Sequence, residues 1–198
     1  MEDVITELMD REKIRDCMMR YAQSVDRMDI DLLKSVYWPD ATDWHGSFNG
    51  NAHDFADWII PELQRTTVLC QHFLGGSLIR FTEPNKAHVE TYSQNYHTIR
   101  REGGENYDLV VGSRYLDKME KRGDEWRIFD RVVMVEWVAE ATKAVDLSGG
   151  GLGAAASDLK AGDAPYSKRK PDDMLYSFLG DIGKLPIFAG KAAATAEV

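Results

Sequence analysis

Cysteine is scarce in this sequence, and long apolar runs are absent from it. Cys17 and Cys70 are the only two cysteines, too few for a disulfide framework, so we expect two reduced thiols. No stretch of about 18 consecutive apolar residues occurs, which argues against a membrane-spanning helix. The opening MEDVITELMDREK is acidic and lacks the basic and apolar regions of a signal peptide. We therefore expect a cytoplasmic protein.

Positive charge is in the minority. The chain has 24 lysines and arginines against 33 acidic residues, for a net charge of −9. Nucleic acids and anionic membrane surfaces are bound by clustered cations. The composition therefore predicts no nucleic-acid partner and no membrane partner, and we expect a small molecule as the ligand.

Signatures of bound cofactors are also missing. The five histidines, His45, His53, His72, His88 and His97, form no HxH or HExxH pair, and no structural zinc spacing occurs. No GxGxxG, P-loop or GxSxG motif is present, which argues against a nucleotide cofactor and against a serine hydrolase. We predict no cofactor and no metal, although ligands from distant positions would escape this test. Acid–base chemistry by side chains remains.

The first half of the sequence predicts helices. Within residues 11–29 one apolar stripe repeats at spacings of three and four residues, which is typical of an amphipathic helix; its members are Ile14, Cys17, Met18, Tyr21 and Val25. Asp29 is placed to cap a second helix over 30–37, which Trp38-Pro39 should end. A third helix is expected over 53–65, with Pro61 bending it or marking a junction. A short strand is expected within 43–51.

The second half predicts long strands, beginning at His72. They cover 72–81, 86–101, 107–121 and 125–140 and are separated by the turns TEPN, EGGEN and RGD. Strands joined by such short turns are antiparallel. Helices followed by a curved antiparallel sheet make an α+β domain over residues 1–140, in which the sheet wraps the N-terminal helices as a cone. Pockets in such a cone lie between the sheet and the helices.

Residues 141–198 differ in composition. They begin with a stretch rich in glycine, alanine and serine, typical of an arm or linker, and regain apolar residues in MLYSFLGDIGKLPIF. An apolar tail of this kind is expected to pack on its own cavity or on a neighbouring subunit.

A histidine is the best candidate for a base at neutral pH. His72 stands between an apolar run and two glycines in LCQHFLGGSLIRF. A carboxylate is needed to fix its tautomer, and Asp26 follows the apolar stripe of the first helix directly after Val25. Each residue alone is also compatible with a structural role, and spacing does not decide between the two.

Three segments carry a resemblance to a known family. QHFLGG after three helices, VDRMD at the end of the first helix, and a final strand opening DEWRI resemble the nuclear transport factor 2-like superfamily. Within it the chain is most similar to the branch of scytalone dehydratase, hexachlorocyclohexane dehydrochlorinase and polyketide-cyclase-like (SnoaL-like) proteins. The resemblance covers about residues 5–140 and implies the cone fold.

The resemblance also implies site residues. The proton acceptor of that branch, a histidine opening the first long strand, falls on His72, and the aspartate that orients it falls on Asp26. An arginine of the last strand, which helps the leaving group or polarises the substrate, falls on Arg131. Two positions differ from the pattern of the family. Where scytalone dehydratase has its second histidine, this chain has Ser93, and His97 follows four residues later. The dehydrochlorinase lysine is Tyr21 here.

Other cavity residues are expected with less specific roles. Tyr37, Trp44 and His45 lie on the connection from helix to strand where members of the family line the cavity, although core packing explains them as well. Tyr115 lies on the apolar face of its strand, and its hydroxyl needs a partner if buried.

These expectations describe a cofactor-independent lyase. A base would remove a proton from a hydroxylated, ring-bearing small molecule, and water, halide or a small carbonyl fragment such as formaldehyde would leave. A non-catalytic binding or assembly subunit is the alternative of another class, and an isomerase or cyclase is a third. The last strand, with VVMVEWV apolar on both faces, predicts a covered outer face, and the resemblance implies a homotrimer.

Overall fold

The computed structural model describes residues 2–141, 168–173 and 176. Its elements, in chain order, are α1 (Glu2–Asp26), α2 (Ile30–Ser35), β1 (Tyr37–His45), β2 (Phe48–Asn51), α3 (Ala52–Thr66), β3 (Thr67–Glu83), β4 (Lys86–Ile99), β5 (Tyr107–Arg122) and β6 (Glu125–Ala141). None of the helices in this described part is long and apolar enough to cross a bilayer.

The expected α+β architecture is confirmed. Six strands form one curved, unclosed sheet in the order β2-β1-β6-β5-β4-β3. Neighbouring strands are antiparallel except β1 and β6, which run parallel. The helices pack on the concave side, where the stripe of α1 and the inward side chains of the strands form the core.

Local chemistry explains where the helices begin. Asp29 caps α2 as predicted, accepting a hydrogen bond from the backbone N–H of Leu32 at 3.2 Å. Asn51 caps α3 by accepting from the N–H groups of His53 and Asp54. Met28 has a positive φ of 55°, so the chain leaves the α-helical conformation two residues after Asp26, and the carboxylate of Asp26 stands at the end of α1.

Several predicted boundaries were wrong. α2 ends at Ser35, and Trp38-Pro39 lie inside β1, where the register with β6 shifts between Tyr37 and Thr42. A register shift tolerates proline because no ladder hydrogen bond is required there. Pro61 lies inside α3 and neither ends nor divides it. Its position is exposed, so water can satisfy the carbonyl freed by the missing N–H.

The first long strand begins earlier than predicted. β3 starts at Thr67, so His72 lies in its sixth position and does not open it. Gln71, His72 and Phe73 pair in register with Tyr96, Asn95 and Gln94 of β4. His72 therefore lies inside a strand that is paired with β4 both before and after it in sequence, rather than at a loop.

The predicted extension 141–198 lies outside the described residues except for 141, 168–173 and 176. The described part contacts the corner between α1 and α2. The Lys170 backbone N–H donates to the carbonyl of Arg27 at 2.9 Å, and Lys170 Nζ lies 2.7 Å from Asp29 Oδ1. Arg169 donates to the carbonyl of Thr67 at 2.6 Å, and the Tyr176 hydroxyl donates to Asp29 Oδ2 at 3.0 Å.

Candidate active site

A cavity of about 170 Å³ lies between the concave sheet face and the helices α1 and α3. Its polar lining comes from five elements and consists of Tyr21, His45, His72, Asn95, His97 and Ser113. Its apolar lining consists of Val25, Phe55, Ile59, Leu63, Val111, Val133 and Val135. A mostly apolar wall with a few convergent polar groups is the usual form of a small-molecule site.

His72 and Asp26 meet at the wall of this cavity. His72 Nδ1 lies 2.7 Å from Asp26 Oδ1, and the two side chains are only 6% and 11% exposed. The backbone N–H of His72 also donates to both carboxylate oxygens of Asp26, at 3.0 Å each. The carboxylate is thus fixed by three contacts to one residue. With Nδ1–H bonded to Asp26, Nε2 of His72 is left with a free lone pair.

Cys70 brings a third potential metal ligand to this pair. One ligand atom each from Asp26, Cys70 and His72 lies within 4.8 Å of the others, and no other such group of three is found among the residues that the structure describes. Burial raises the pKa of the Cys70 thiol to about 12, whereas a metal binds the thiolate. The thiol instead donates to the carbonyl of Val25 at 3.6 Å. In this structure the thiol thus acts as a hydrogen-bond donor beside the His–Asp pair.

His97 is the second histidine of the cavity wall beside His72. The two rings meet edge to face, with centroids 5.5 Å apart. Burial and, to a smaller extent, the neighbouring His72 lower the pKa of His97 to about 4. His97 is therefore neutral near pH 7 and does not oppose the formation of an imidazolium at His72.

A hydrogen-bonded polar cluster forms the floor of the cavity. Ser93 Oγ and Ser113 Oγ lie 2.6 Å apart. Asn95 Nδ2 donates to Ser93 Oγ, Ser113 Oγ and the Tyr115 hydroxyl at 3.2–3.3 Å. Among the residues that the structure describes, none is a hydrogen-bond partner of the buried Oδ1 of Asn95. An unpaired buried acceptor next to a cavity is a natural contact for a ligand hydroxyl.

Arg131 lies behind the cavity rather than on its wall. Its side chain is 0% exposed and makes a bidentate ion pair with Asp117, with Nε–Oδ1 and Nη2–Oδ2 distances of 2.6 and 2.8 Å. The guanidinium carbon lies 4.0 Å from the ring centroid of Tyr21 and 4.5 Å from that of Tyr115. Of these two rings, that of Tyr21 lines the cavity, so it separates Arg131 from the cavity. Direct contact with a leaving group, the role expected for it, is not available in this geometry.

Tyr37 and Asp43 extend the buried network from Arg131 toward His45. Arg131 Nη1 donates to the Tyr37 hydroxyl at 3.2 Å, and this hydroxyl donates to Asp43 Oδ2 at 2.6 Å. The other oxygen of Asp43, Oδ1, lies 3.7 Å from His45 Nδ1. Burial raises the pKa of Tyr37 well above its usual value, so its hydroxyl stays protonated.

The structure separates the remaining predicted residues into two groups. Tyr21 and His45 line the cavity, whereas Tyr37 and Tyr115 are fully buried next to Arg131. Trp44 is 54% exposed and lies on the face of β1 opposite Asp43, because successive strand residues point to opposite sides. A cavity-lining role for Trp44 is therefore wrong.

Three polar residues of this region were missed by the sequence analysis. Asp117 shares strand parity with Tyr115 and Met119, so the alternation that places those two inside predicts a buried aspartate as well. Asp43 stands two residues before His45 and shares its face in the same way. Asn95 lies between Ser93 and His97 and shares their face of β4. The period-two alternation of the strands therefore predicts an inward position for Asp117, Asp43 and Asn95 alike.

Comparison with known proteins is consistent with this description. A model of the SnoaL-like domain matches residues 6–132. No protein in a search of curated sequences matches the chain.

Solved structures share the fold at low sequence identity. LinA superposes with a TM-score of 0.66 at 19% identity, over 73% of this chain and 97% of that one. A candidate scytalone dehydratase from Novosphingobium aromaticivorans has a TM-score of 0.62 and 17% identity, over 73% and 94%. The LinA-type3 hexachlorocyclohexane dehydrochlorinase of Novosphingobium barchaimii has a TM-score of 0.64 and 16% identity, over 71% and 95%.

Proposed function

Because the chain belongs to the SnoaL-like domain family, we propose that it is a cofactor-independent lyase for a hydroxylated, ring-bearing small molecule. The observation that carries this proposal is the 2.7 Å contact between His72 Nδ1 and Asp26 Oδ1 at the cavity wall. The relatives named for dehydratase and dehydrochlorinase activity support elimination as the reaction class.

His72 is the proton acceptor in this proposal. Asp26 holds the tautomer with the proton on Nδ1, so Nε2 accepts a proton from a substrate carbon or hydroxyl. The imidazolium that forms is stabilised by the carboxylate 2.7 Å away. The neutral state of His97, whose pKa burial lowers to about 4, leaves this charge unopposed.

The volume of the cavity limits the size of the substrate. Drug-sized ligands occupy pockets of about 300 Å³ or more, whereas an apolar cavity of about 150 Å³ holds one benzene molecule. The cavity of about 170 Å³ therefore fits a molecule with a single ring and few substituents. Asn95 Oδ1 and the Ser93–Ser113 pair would receive its hydroxyl groups.

Arg131 acts on the substrate indirectly, through neighbouring side chains. Its buried charge lies against the rings of Tyr21 and Tyr115, and it orients both. Tyr21 is neutral, since burial raises its pKa well above the usual value, and it stands where the similar dehydrochlorinase has a lysine. A neutral hydroxyl suits an oxygen leaving group better than a halide ion, so water or a small carbonyl fragment is the favoured departing group.

The test is a screen of single-ring hydroxylated aromatics and cyclic alcohols, followed by mass spectrometry without added cofactor. We expect a product lighter than the substrate by the mass of water or of a carbonyl fragment. His72→Gln and Asp26→Asn should each lower kcat by about 100-fold or more, as loss of general base catalysis does. Trp44→Phe, which changes an exposed residue of β1, is the matched control and should retain activity.

Two outcomes would replace the proposal. A product with the mass of the substrate would identify an isomerase or cyclase on the same cavity. Binding of screened compounds without turnover, equally strong in the protein and in His72→Gln, would identify a binding or assembly subunit.

A further inference from the structure

The cavity is reached by two histidine–aspartate pairs. His72 with Asp26 approaches from β3, at one edge of the sheet, and His45 with Asp43 approaches from β1, next to the opposite edge. Since the sheet curves around the cavity, both histidines line it. From this arrangement we infer that His45 is the general acid that protonates the leaving oxygen, and that Asp43 is its positioning residue. This inference rests on the elimination proposed above.

The unpaired atoms of the second pair point to this role. Asp43 is 0% exposed and its Oδ1 has no hydrogen-bond partner among the described residues; the buried Nδ1 of His45 has none there either. Structural histidines and buried carboxylates normally have their hydrogen bonds satisfied. The 3.7 Å between these two atoms is too long for a hydrogen bond. Catalytic hydrogen bonds are often long in the free enzyme and shorten in the complex.

The charges of the buried network also leave room for a cation beside Asp43. Arg131 is the cation of this network, and its guanidinium is already bidentate to Asp117. Within the described part of the chain, the side-chain donor to Asp43 is the neutral hydroxyl of Tyr37, at 2.6 Å. A buried carboxylate with one neutral donor is costly unless a cation is added. In the proposed role, His45 is the side chain placed to bring a positive charge beside Oδ1, 3.7 Å away.

The surroundings of His45 hold its ring toward the cavity. Phe55 of α3 stacks on the ring, with centroids 4.9 Å apart and an angle of 15° between the planes. With Nδ1 beside Asp43, the Nε2–H is the group left to donate to a ligand. The other titratable side chains that line the same cavity are Tyr21 of α1, His72 of β3 and His97 of β4. Asp43 and Asp26 stand behind the two histidines that they contact. The α3 and β6 side chains there are apolar.

The reaction balances with these two residues. His72 Nε2 takes a proton from the substrate carbon, and the electron pair of that C–H bond becomes the new π bond. The carbon–oxygen bond breaks, and the oxygen takes the proton of His45 Nε2, so that water leaves. His72 ends protonated and His45 neutral. Exchange of protons with solvent restores both, and no oxidant or reductant is needed.

The first experiment does not depend on turnover. It measures binding of 4-nitrophenolate, a single-ring oxyanion, by its visible absorption band. We expect His45→Gln to weaken binding about 10- to 100-fold, as loss of a charge-assisted hydrogen bond does. Trp44→Phe, on the other face of the strand, should bind as the unchanged protein does, and His72→Gln should change affinity only a few-fold. Thermal unfolding of each variant checks that it is folded. Equal binding by His45→Gln and the unchanged protein would overturn the inference.

The second experiment uses the substrate found in the screen. His45→Gln should lower kcat by about 100-fold or more with little change in KM, and should remove the alkaline limb of the pH–rate profile. Asp43→Asn, which keeps an acceptor for Tyr37, should reproduce the change in pH profile. An alkaline limb that persists in His45→Gln contradicts the acid role. If no compound is turned over, the proposed function fails, while phenolate binding still decides whether His45 donates to a ligand oxygen.

Discussion

Removing either partner of the buried Arg131–Asp117 pair should destabilise the protein strongly. Both side chains are 0% exposed and share two short hydrogen bonds of 2.6 and 2.8 Å. Deleting one member of such a pair leaves an uncompensated buried charge, which costs about 3–5 kcal/mol. Asp117→Asn preserves the shape of the side chain, and Arg131→Met preserves much of the apolar stem, so each tests the charge more than the volume.

A double-mutant cycle separates the pair from its surroundings. Because the double variant leaves neither Arg131 nor Asp117 without its charged partner, it should be more stable than the sum of the single losses by about 1–3 kcal/mol. Lys118→Met is the control: Lys118 pairs with Asp130 at 2.7 Å on the same two strands but is 62% exposed. An exposed pair of this kind contributes under about 1 kcal/mol.

The measurement is urea unfolding at fixed protein concentration and neutral pH, followed by circular dichroism. The midpoint should fall in Asp117→Asn and Arg131→Met with an unchanged slope. If both variants lost no more stability than Lys118→Met, the ion pair would not support the core. A large rise in KM without loss of stability in Arg131→Met would instead assign Arg131 to direct substrate contact.

Three further predictions use other parts of the chain. Burial lowers the pKa of His97 from 6.5 to about 4, so the unfolded chain binds a proton between these pH values that the folded chain does not. As the pH drops from 6.5 to 4, the free energy of unfolding should therefore fall by about 3 kcal/mol more in the unchanged protein than in His97→Gln. Urea titrations at a series of pH values measure this difference. Burial raises the pKa of the Cys17 thiol to about 11 and that of Cys70 to about 12. An aromatic disulfide reagent near neutral pH should therefore label neither thiol in the folded protein and both in guanidinium chloride. Rapid labelling of the folded protein would contradict their burial. We expect a homotrimer that weakens when residues 172–198 are deleted, and light scattering at micromolar concentration measures it. A monomeric full chain would refute the assembly. An oligomer that is unchanged after the deletion would refute the role of the tail.

The outer face of the sheet motivates the prediction of assembly. Phe73, Tyr92 and Trp137 are 69%, 59% and 46% exposed and line one groove on that face. Contiguous aromatic exposure is unusual on a surface that stays in water. A second subunit would cover these rings.

Much of the fold was readable from local pattern. The stripe from Ile14 to Val25 predicts the buried face of α1, and the alternation along β5 predicts its inward residues, because each period states which side of an element avoids water. Asp29 was predicted as a cap because its side chain meets the N–H groups three residues on. Spacing left the roles of Asp26 and His72 undecided, and the resemblance to a known family assigned them.

Tertiary structure alone decided what lies opposite each inward side chain. Asp26 and His72 are 46 residues apart in sequence, and Asp43 reaches the buried network only because β1 pairs in parallel with β6. Arg131 looked like a substrate contact, yet its partner Asp117 on the neighbouring strand draws it behind the wall. Periodicity encodes the direction of a side chain, whereas the free energy of a buried charge depends on the groups within a few ångströms, and those are brought there by strand order and register.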